Sequence, residues 1–365
     1  MGVPAIRERV AKFISERDGH PCSPDHIYLS SGASAGVSNF LQILLGGAND
    51  GVLIPIPQYP LYTAALALNN ARAVPYYLDE AKDWTLSVDN LRQQVNDARS
   101  NGTQVKAMVV INPGNPTGQC LSPENMREIA QFCYDESLVL CADEVYQDNI
   151  YIRGRPFTSF KKVVKDMSGP VADNLELISL HSISKGQTGE CGRRGGYYEL
   201  CNIAPDAEAQ FYKLASIQLC PPLHGQIAVD CLVDPPREGS PSYDKWVSER
   251  SDIAETLRFR AETLEKSFNA LDGVECREAQ GAMYLFPTIK LPQGAIDAAK
   301  EAKVAPDAFY ARRLLEATGI CVVPGSGFGQ VPGTYHFRTT FLAPGVQDYV
   351  ERFKKFHDEF MAEYS

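Results

Sequence analysis

A lysine that leaves a buried strand is the residue of this sequence best suited to attack a carbonyl group. Lys185 ends the motif SISK, which directly follows the apolar run LELISLH and precedes GQTGECGRRGGY. Burial at such a strand end disfavours the ammonium ion and leaves the amine able to act as a nucleophile. The hydroxyls of Ser182 and Ser184 flank the lysine and suit a phosphate group. A solvated lysine in a turn is the alternative interpretation of so short a motif.

A second group of polar residues follows the apolar run LVLCA. Asp143, Glu144 and Tyr146 stand at the end of this run. A carboxylate placed there can keep a pyridine nitrogen protonated, which makes the ring a better electron sink, and Tyr146 can donate to a ring oxygen. Alternatively, the acidic residues only cap the end of the strand and Tyr146 only packs in the core.

Two further segments have a restrictive backbone. The loop NPGNPTG over 112–118 contains Asn-Pro and Pro-Gly turns that can aim an amide side chain, although it could also be a tight connection. The segment SSGASAG over 30–36 ends a strand and opens a helix, so its backbone amides and the helix dipole can bind an anion. Helix capping by Ser31 or Ser34 would also account for its serines.

Two arginines complete the set of candidate residues. Arg194 lies in GRRGGY, close in sequence to Lys185, and Arg338 lies in HFRTTF. A guanidinium pairs with a carboxylate or phosphate through two parallel hydrogen bonds, which a lysine cannot form. Surface salt bridges are the alternative for both arginines. The apolar run around Arg338 nevertheless favours a buried partner for this residue.

These residues must be positioned by a sheet with helices on both faces. Short apolar runs alternate with longer amphipathic segments from residue 27 onwards, which is typical of an α/β fold. Polar residues such as Asn112 and His181 stand at strand ends, where ligands of open α/β sheets gather. The predicted strands are VLIPI, AVPYY, AMVVIN, LVLCADE and LELISLH, and helices are predicted over 4–17, 34–45, 60–68, 87–99 and 123–136.

A smaller lobe is predicted toward the C-terminus. The segment DPPREGSPSYD over 234–244 is rich in Pro, Gly and Ser and marks the exit from the main lobe. We therefore expect a large domain over 1–244, a linking helix over 245–270 and a small domain over 271–365. In the small domain we predict strands over 274–277, 282–286, 320–323 and 335–341, a helix over 306–318 and a terminal helix from 346.

Composition excludes several classes of protein. The net charge of -10 argues against binding to a nucleic-acid backbone, which requires a basic face. No apolar stretch approaches the roughly 18 residues that cross a bilayer, so no membrane association is expected. The ten cysteines are dispersed without a C-x-x-C pair, which predicts no metal site and indicates reduced thiols in a cytoplasm-like compartment.

The order of the motifs is more specific than any one of them. SSGAS, PQYPLY, NPGNPTG, ADEVY, SISKG and GRRGGY together resemble the fold-type I aminotransferases. Within that superfamily, IPIPQYPLYTA, VINPGNPTGQ, GECGRRGGY and PGSGFGQVPGTYHFRTTFL resemble the alanine aminotransferase family of class I/II pyridoxal-phosphate enzymes. The resemblance covers nearly the whole chain. It implies a mostly parallel central sheet with helices on both faces, a smaller C-terminal α/β domain and a homodimer.

The resemblance also implies roles for individual residues. Lys185 would hold pyridoxal 5'-phosphate through an imine and move the substrate proton, while Asp143 would pair with the pyridinium nitrogen. Arg338 would bind the α-carboxylate of the substrate. The remaining cofactor contacts would be Tyr59 stacked on the ring, Asn115 and Tyr146 at the phenolic oxygen, and Ala33, Ser34, Ser182, Ser184 and Arg194 at the phosphate, with Asn115 also counted in the substrate site.

The implied reaction is a ping-pong transamination of small amino acids and 2-oxo acids. In the alanine aminotransferase family the products of L-alanine and 2-oxoglutarate are pyruvate and L-glutamate. Two alternatives stay open. One is the glutamate:glyoxylate branch of the same family, and the other is a homologue that binds the cofactor without turning over.

Two departures from the family pattern accompany the resemblance. Relatives carry an N-terminal extension, and Met1 stands just after the point where they have a tyrosine that reaches the phosphate site of the partner subunit. We therefore expect weaker cofactor binding and weaker dimer contacts. A mitochondrial import signal, if one exists, would precede Met1. The second departure is Gln187-Thr188, where relatives often have bulkier residues.

Overall fold

The strands predicted from short apolar runs are present in the computed structural model, which describes residues 1–187 and 189–365. Within this described part of the chain, seven strands form one sheet in the order β1-β7-β6-β5-β4-β2-β3. The strands are β1 Ile27–Ser30, β2 Asp50–Ile56, β3 Arg72–Tyr77, β4 Gln104–Ile111, β5 Val139–Asp143, β6 Leu177–Ser182 and β7 Gly196–Cys201.

The sheet is mostly parallel. Strand β4 pairs in parallel with β2 and β5, and β5 pairs in parallel with β6. Strand β7, which the apolar-run analysis did not identify, is antiparallel to both β6 and β1. Its first residues belong to the motif GRRGGY, whose glycines and charges obscure the strand pattern.

Helices cover the sheet, and those predicted over the first half of the chain are confirmed to within a few residues. Helix α1 begins at Pro4 and ends at Asp18, and the next residue, Gly19, has a φ of 74° and caps the helix in the left-handed region. The helices are α1 Pro4–Asp18, α2 Ala33–Leu44, α3 Leu61–Leu68, α4 Val88–Ser100, α5 Pro123–Asp135, α6 Phe160–Asp166, α7 Gly169–Asn174, α8 Pro205–Ile217, α9 Leu223–Val233 and α10 Tyr243–Asn269.

Alternation along the central strands sends side chains into a core on each face of the sheet. In β5, Leu140 and Ala142 pack in the cluster that contains residues of α5, whereas Cys141 packs in the cluster formed with α2 and α3. Because successive side chains of a strand point to opposite faces, Asp143 lies on the same face as Cys141. The same alternation in β6 puts Ser182 on the face of Leu180, which also packs with α2 and α3.

The chain divides into two compact units. Unit 1 consists of Met1–Pro55, Leu61–Pro113 and Leu121–Arg250, and unit 2 consists of Ile56–Pro60, Gly114–Cys120 and Ser251–Ser365. The division between the units at Arg250 falls inside α10. The assignment of residues 1–244 to a cofactor-binding domain, 245–270 to a linking helix and 271–365 to a small domain stays a prediction.

Unit 2 contains short strands and three more helices. The strands predicted there are shorter than expected. In the strand predicted over 282–286, Ala282 has a φ of 60° and Pro287 cannot donate to a ladder, so only the residues between them pair. The strands are β8 Val274–Glu275, β9 Tyr284–Leu285, β10 Thr288–Ile289, β11 Val323–Pro324 and β12 Phe337–Thr340, and the helices are α11 Gln293–Glu301, α12 Pro306–Thr318 and α13 Val346–Tyr364.

Strand β12 joins two others in the order β11-β12-β9, and β8 pairs with β10. The core of unit 2 is rich in aromatic rings, among which Phe268, Tyr310 and Phe353 pack around Phe337 of β12. Strand β12 is thereby fixed in the unit. None of the helices that the described residues form is long and apolar enough to cross a membrane.

Candidate active site

Lys185 lies in a turn directly after β6. Its Nζ is 5.3 Å from the centre of the Tyr146 ring, a distance at which a cation is attracted to the ring face. The turn is held by Asn149, which is buried. The Asn149 side chain accepts a hydrogen bond of 2.8 Å from Gly186 N and donates one of 3.2 Å to Gly186 O. The backbone N–H and C=O groups of Gly186, the residue after the lysine, are therefore both fixed.

Asp143 is a buried carboxylate at the end of β5. It accepts a hydrogen bond of 2.8 Å from the Tyr62 hydroxyl and one of 3.4 Å from Val145 N. Burial raises the pKa of Asp143 above its ordinary value, while the Tyr62 hydroxyl, the Val145 amide and the charge of Lys185 act in the opposite direction. Burial also raises the pKa of Tyr62, so this hydroxyl keeps its proton and acts as the donor. A carboxylate in this position is suited to hold a proton on a ring nitrogen.

A guanidinium, hydroxyls and a helix N-terminus form a second cluster in unit 1. Arg194 Nη2 lies 2.6 Å from Ser31 O and 3.4 Å from Ser34 Oγ, and Nη1 lies 3.5 Å from Ser184 Oγ. Helix α2 begins at Ala33, and its N-cap residue, Gly32, has no side chain that could cap the first turn. The amides and positive dipole end of that turn add to the charge of Arg194. We call this set the anion cluster.

Ser182 links the lysine turn to the backbone of the arginine segment. Its hydroxyl donates to Gly195 O at 3.2 Å and accepts from Ser184 N at 3.1 Å. The same carbonyl, Gly195 O, also accepts from Ile183 N at 3.2 Å. The segments before Lys185 and after Arg194 are thereby tied to each other.

Close backbone approaches position Arg194. A Cβ atom on Gly32, which has a φ of 90°, would lie 2.6 Å from Arg194 Nη2. A Cβ atom on Gly225 of α9 would lie 2.3 Å from Arg194 O, and one on Gly195 would lie 2.3 Å from Gly225 O. Glycine is therefore the only residue that allows α9 and the 31–32 loop to approach the arginine this closely.

The chemistry of these groups fits a phosphorylated pyridine carbaldehyde. The anion cluster offers a guanidinium, hydroxyl donors and helix amides, which are the groups that bind a phosphate. Asp143 offers a buried carboxylate for a ring nitrogen, and Lys185 offers an amine for a carbonyl carbon. All of these groups belong to unit 1.

Arg338 and Asn115 meet in unit 2. Arg338 Nη1 donates to Asn115 Oδ1 at 3.0 Å, and the guanidinium also lies over the rings of Tyr284 and Phe328. The expectation that Arg338 has a buried partner agrees with this contact, because Asn115 is buried. Tyr59 is in the Ile56–Pro60 segment of the same unit and is 45% exposed.

The structure therefore gathers eight of the predicted site residues in unit 1 and three in unit 2, while the role of each stays a prediction. The unit 1 residues are Ala33, Ser34, Asp143, Tyr146, Ser182, Ser184, Lys185 and Arg194, and the unit 2 residues are Tyr59, Asn115 and Arg338. Thr188, singled out with Gln187 as a departure from the family, lies outside the described residues.

Sequence reasoning missed three residues that support the site. Tyr62 contacts Asp143, Asn149 holds the lysine turn, and Gly225 approaches Arg194. Tyr62 lies 81 residues before Asp143, and nothing in the local pattern pairs them. Asn149 had a weak signal, since it follows the polar segment DEVYQD that begins at Asp143.

Comparison with known proteins identifies the class. Residues 1–355 match the family described as aminotransferase class I and II. The chain belongs to this family and is an aminotransferase, and members of the family depend on pyridoxal phosphate. The fold-class prediction, an α/β fold of the fold-type I aminotransferases, is confirmed.

The individual relatives carry two kinds of name. The chain is 53% identical over 366 residues to glutamate–glyoxylate aminotransferase 2 of Arabidopsis thaliana, covering 100% of this chain and 76% of that protein. It is 51% identical over 365 residues to alanine aminotransferase 2, mitochondrial, of the same plant, covering 100% and 67%. Among solved structures, it resembles alanine aminotransferase from Pyrococcus furiosus with a TM-score of 0.81 at 25% identity, covering 98% and 82%.

Proposed function

We propose that this aminotransferase transfers the amino group of L-alanine to 2-oxoglutarate, giving pyruvate and L-glutamate by a ping-pong mechanism with bound pyridoxal 5'-phosphate. The observation that carries the proposal is the set formed by Lys185, Asp143 and the anion cluster in unit 1. It supplies an amine, a buried carboxylate and a phosphate-binding cluster in one unit. The relatives named alanine aminotransferase support the choice of substrates.

Residues of unit 1 would hold the cofactor. Lys185 would hold its carbonyl carbon, Asp143 its ring nitrogen, and Tyr146 would donate to its phenolic oxygen. Its phosphate would be bound by the anion cluster together with the Ser182 hydroxyl. In unit 2, the roles of Tyr59 at the ring face and of Asn115 at the phenolic oxygen are proposed from the family resemblance alone.

The bound cofactor supplies an electron sink that stabilises negative charge at the substrate Cα. The chain supplies the proton transfers. The Lys185 amine would remove the proton from the Cα of the amino-acid donor, and in the second half-reaction its ammonium form would return a proton to the Cα of the 2-oxo acid acceptor. Asp143 stays ionised so that the ring nitrogen keeps its proton, and the Tyr62 hydroxyl supports that charge. Arg338 binds the α-carboxylate that all amino acid and 2-oxo acid substrates share.

A second pair of substrates is favoured by one comparison. The 53% identity to a glutamate–glyoxylate aminotransferase makes glyoxylate the alternative acceptor and L-glutamate the alternative donor. Purified protein supplied with L-glutamate should transfer the amino group to pyruvate with a higher kcat/KM than to glyoxylate. Faster transfer to glyoxylate would replace the alanine assignment with the glyoxylate one.

The cofactor is tested separately from the substrates. After removal of unbound pyridoxal phosphate the protein should keep an imine absorbance near the visible edge, and borohydride should fix the cofactor covalently to the chain. Lys185→Ala should lose both this covalent attachment and transamination. Lys162→Ala is the matched control, because this lysine of the same unit is partly exposed and its ammonium group pairs with Asp166. A wild-type protein without the absorbance would leave the chain as a non-catalytic homologue.

We further propose that the chain works as a homodimer. Apolar side chains on α8, α9 and the loop between them are exposed, which is the usual mark of a protein interface. They are Tyr212, Ile217, Leu219, Leu223 and Ile227. Light scattering coupled to gel filtration should give twice the mass of the chain. A monomer mass at micromolar concentration would contradict this proposal.

A cytoplasmic location is the last part of the proposal. None of the ten cysteines, all of which lie in the described part of the chain, forms a disulfide, which agrees with a reducing compartment. A mitochondrial location is the alternative, since relatives such as alanine aminotransferase 2 of Arabidopsis thaliana bear that designation. Fractionation of cells with an antibody to the chain distinguishes the two compartments.

A further inference from the structure

Three side chains of unit 2 surround the guanidinium of Arg338. Its Cζ lies over the Tyr284 ring, 4.1 Å from the ring centre, and over the Phe328 ring at 4.7 Å. Both distances are well inside the roughly 6 Å at which a ring face attracts a cation. On its edge, Nη1 donates to Asn115 Oδ1 at 3.0 Å. We call the two rings the aromatic clamp.

Each ring is itself fixed by its surroundings. Phe328 is buried; its carbonyl accepts from Gln58 N at 2.9 Å, and its ring meets Phe286 at 90° with ring centres 5.9 Å apart. Phe286 in turn stacks on His336 at 4.7 Å. The Phe328 ring is therefore held in place by a series of packed rings and is not a mobile side chain of a loop.

The second ring is placed by the sheet register. Tyr284 of β9 is the Cα partner of Thr340 in β12. Arg338 precedes Thr340 by two residues and so points to the same face of the strand. Tyr284 and Arg338 are thus diagonal neighbours across two paired strands, within the reach of an aromatic ring and a long side chain.

We propose that Tyr284 and Phe328 are positioning residues that hold Arg338 in the orientation needed to bind the α-carboxylate of substrates. The inference rests on the proposed role of Arg338. The rings contact the π face of the guanidinium, so its N–H groups, which lie in the plane, are left to hydrogen bonding. A carboxylate that pairs with Arg338 must then approach in that plane. Holding the arginine beforehand reduces the conformational entropy lost when the substrate binds.

The expected consequence is a parallel effect on both half-reactions. Every substrate carries an α-carboxylate, so removing a clamp ring raises KM for the amino acid and for the 2-oxo acid by similar factors. Turnover at saturation falls less, because Lys185 and Asp143 belong to the other unit. A merely structural role would lower stability without a common factor on both KM values.

The experiment compares Tyr284→Leu and Phe328→Leu with wild-type holoenzyme. Each variant should raise KM for L-alanine and for 2-oxoglutarate by about 5- to 30-fold, the factors that correspond to losing one cation–π contact. Calorimetric binding of 2-oxoglutarate to the aldehyde form of the holoenzyme, which cannot react with it, should weaken by the same factor. Tyr284→Phe keeps the ring face over Arg338 and should raise both KM values less than Tyr284→Leu.

Two more variants distinguish a failure of the clamp proposal from a failure of the proposed role of Arg338. Phe356→Leu removes a buried ring of the same unit that contacts Tyr310 and Phe360, and should lower stability with unchanged KM. Arg338→Lys should raise both KM values more than either clamp variant. Unchanged KM in Arg338→Lys would overturn the proposed role of the arginine. Raised KM there with unchanged KM in both clamp variants would overturn the clamp alone.

Discussion

At the scale of single residues, a buried tyrosine is one of the groups that keep Asp143 ionised. Burial raises the pKa of the carboxyl group, which works against the charge that a pyridinium partner requires. The Tyr62 hydroxyl donates to Oδ2 at 2.8 Å and favours the ionised form. Tyr62 also packs in the core between the sheet and α2, so its ring has a structural role that is separate from its hydroxyl.

Removing only the hydroxyl should therefore weaken cofactor binding without unfolding the protein. A hydrogen bond to a charged group contributes about 1.5–3 kcal/mol. In Tyr62→Phe we expect the pKa of Asp143 to rise and the dissociation constant of pyridoxal phosphate to increase about tenfold or more. Titration of the apoprotein with pyridoxal phosphate measures this directly.

The control for this variant is Tyr76→Phe. Tyr76 is another fully buried tyrosine of unit 1, and its hydroxyl donates to Val109 O at 2.8 Å. Loss of the Tyr76 hydroxyl should lower the free energy of unfolding about as much as loss of the Tyr62 hydroxyl, and should leave the affinity for pyridoxal phosphate unchanged. Equal affinity in Tyr62→Phe and in wild type would mean that Tyr62 only packs.

At the scale of secondary-structure elements, glycines determine how closely α9 and the start of β7 approach. Gly195 and Gly225 face one another, and the carbonyl of Arg194 lies where a side chain of Gly225 would be. Helix α9 also packs against α1 and against η3, the short 3-10 helix Cys191–Arg193 that precedes the arginine. The anion cluster thus depends on a helix that contributes no side chain to it.

A methyl group on α9 tests this dependence. In Gly225→Ala the new Cβ would lie 2.3 Å from Arg194 O, so backbone must move. We expect destabilisation of about 1–3 kcal/mol, partly offset by the higher helix propensity of alanine. Thermal unfolding should show a lower Tm, and affinity for pyridoxal phosphate should fall because Arg194 is displaced.

Gly192→Ala provides the matched comparison for this variant. It lies in the same GECGRRGG segment, and a Cβ there would meet nothing within 4 Å. Its Tm should stay near that of wild type, within the effect of about 0.5 kcal/mol that is usual for surface substitutions. If both variants behaved alike, the close approach of α9 would not be what positions Arg194.

At the scale of the whole molecule, buried ionisable groups should make stability depend on pH. Glu144 is buried and accepts a hydrogen bond of 2.7 Å from Phe160 N. Burial raises the pKa of Glu144 from an ordinary value of 4.5 to about 8, although the charge of Arg17 opposes the shift. Burial likewise lowers the pKa of His181 from 6.5 to about 4.

The two groups act in opposite directions and in different pH windows. Unfolded chains bind more protons than folded ones at His181 between about pH 4 and 6.5, so there His181 makes stability rise with pH. Folded chains bind more protons at Glu144 between about pH 4.5 and 8, so Glu144 makes stability fall as pH rises. Between pH 6.5 and 8 only the Glu144 effect remains of the two.

We therefore expect the free energy of unfolding to fall by up to about 1.4 kcal/mol per pH unit between pH 6.5 and 8. Glu144→Gln keeps an acceptor for Phe160 N and should flatten this dependence. Urea unfolding at several pH values measures the slope, with Glu16→Gln, an exposed carboxylate on α1, as the control. An unchanged slope in Glu144→Gln would show that Glu144 is already ionised in the folded protein.

Much of the site could be predicted from local sequence. Asp143 and Ser182 follow apolar runs that form β5 and β6, and the period of a strand decides which face each side chain occupies. Lys185, Arg194 and the helix start at Ala33 were recognised in the same way, because strand ends, turns and helix starts are set by residues a few positions apart.

The supporting contacts could not be predicted in this way. Tyr62 reaches Asp143 across 81 residues, Gly225 approaches Arg194 only after α9 packs against the start of β7, and the rings of Tyr284 and Phe328 come from separate segments of unit 2. Such contacts depend on how helices and strands pack, and packing joins residues without regard to their spacing in the chain. The reactive groups of this aminotransferase can therefore be predicted from its sequence. The contacts that orient those groups and shift their pKa values form only in the folded chain.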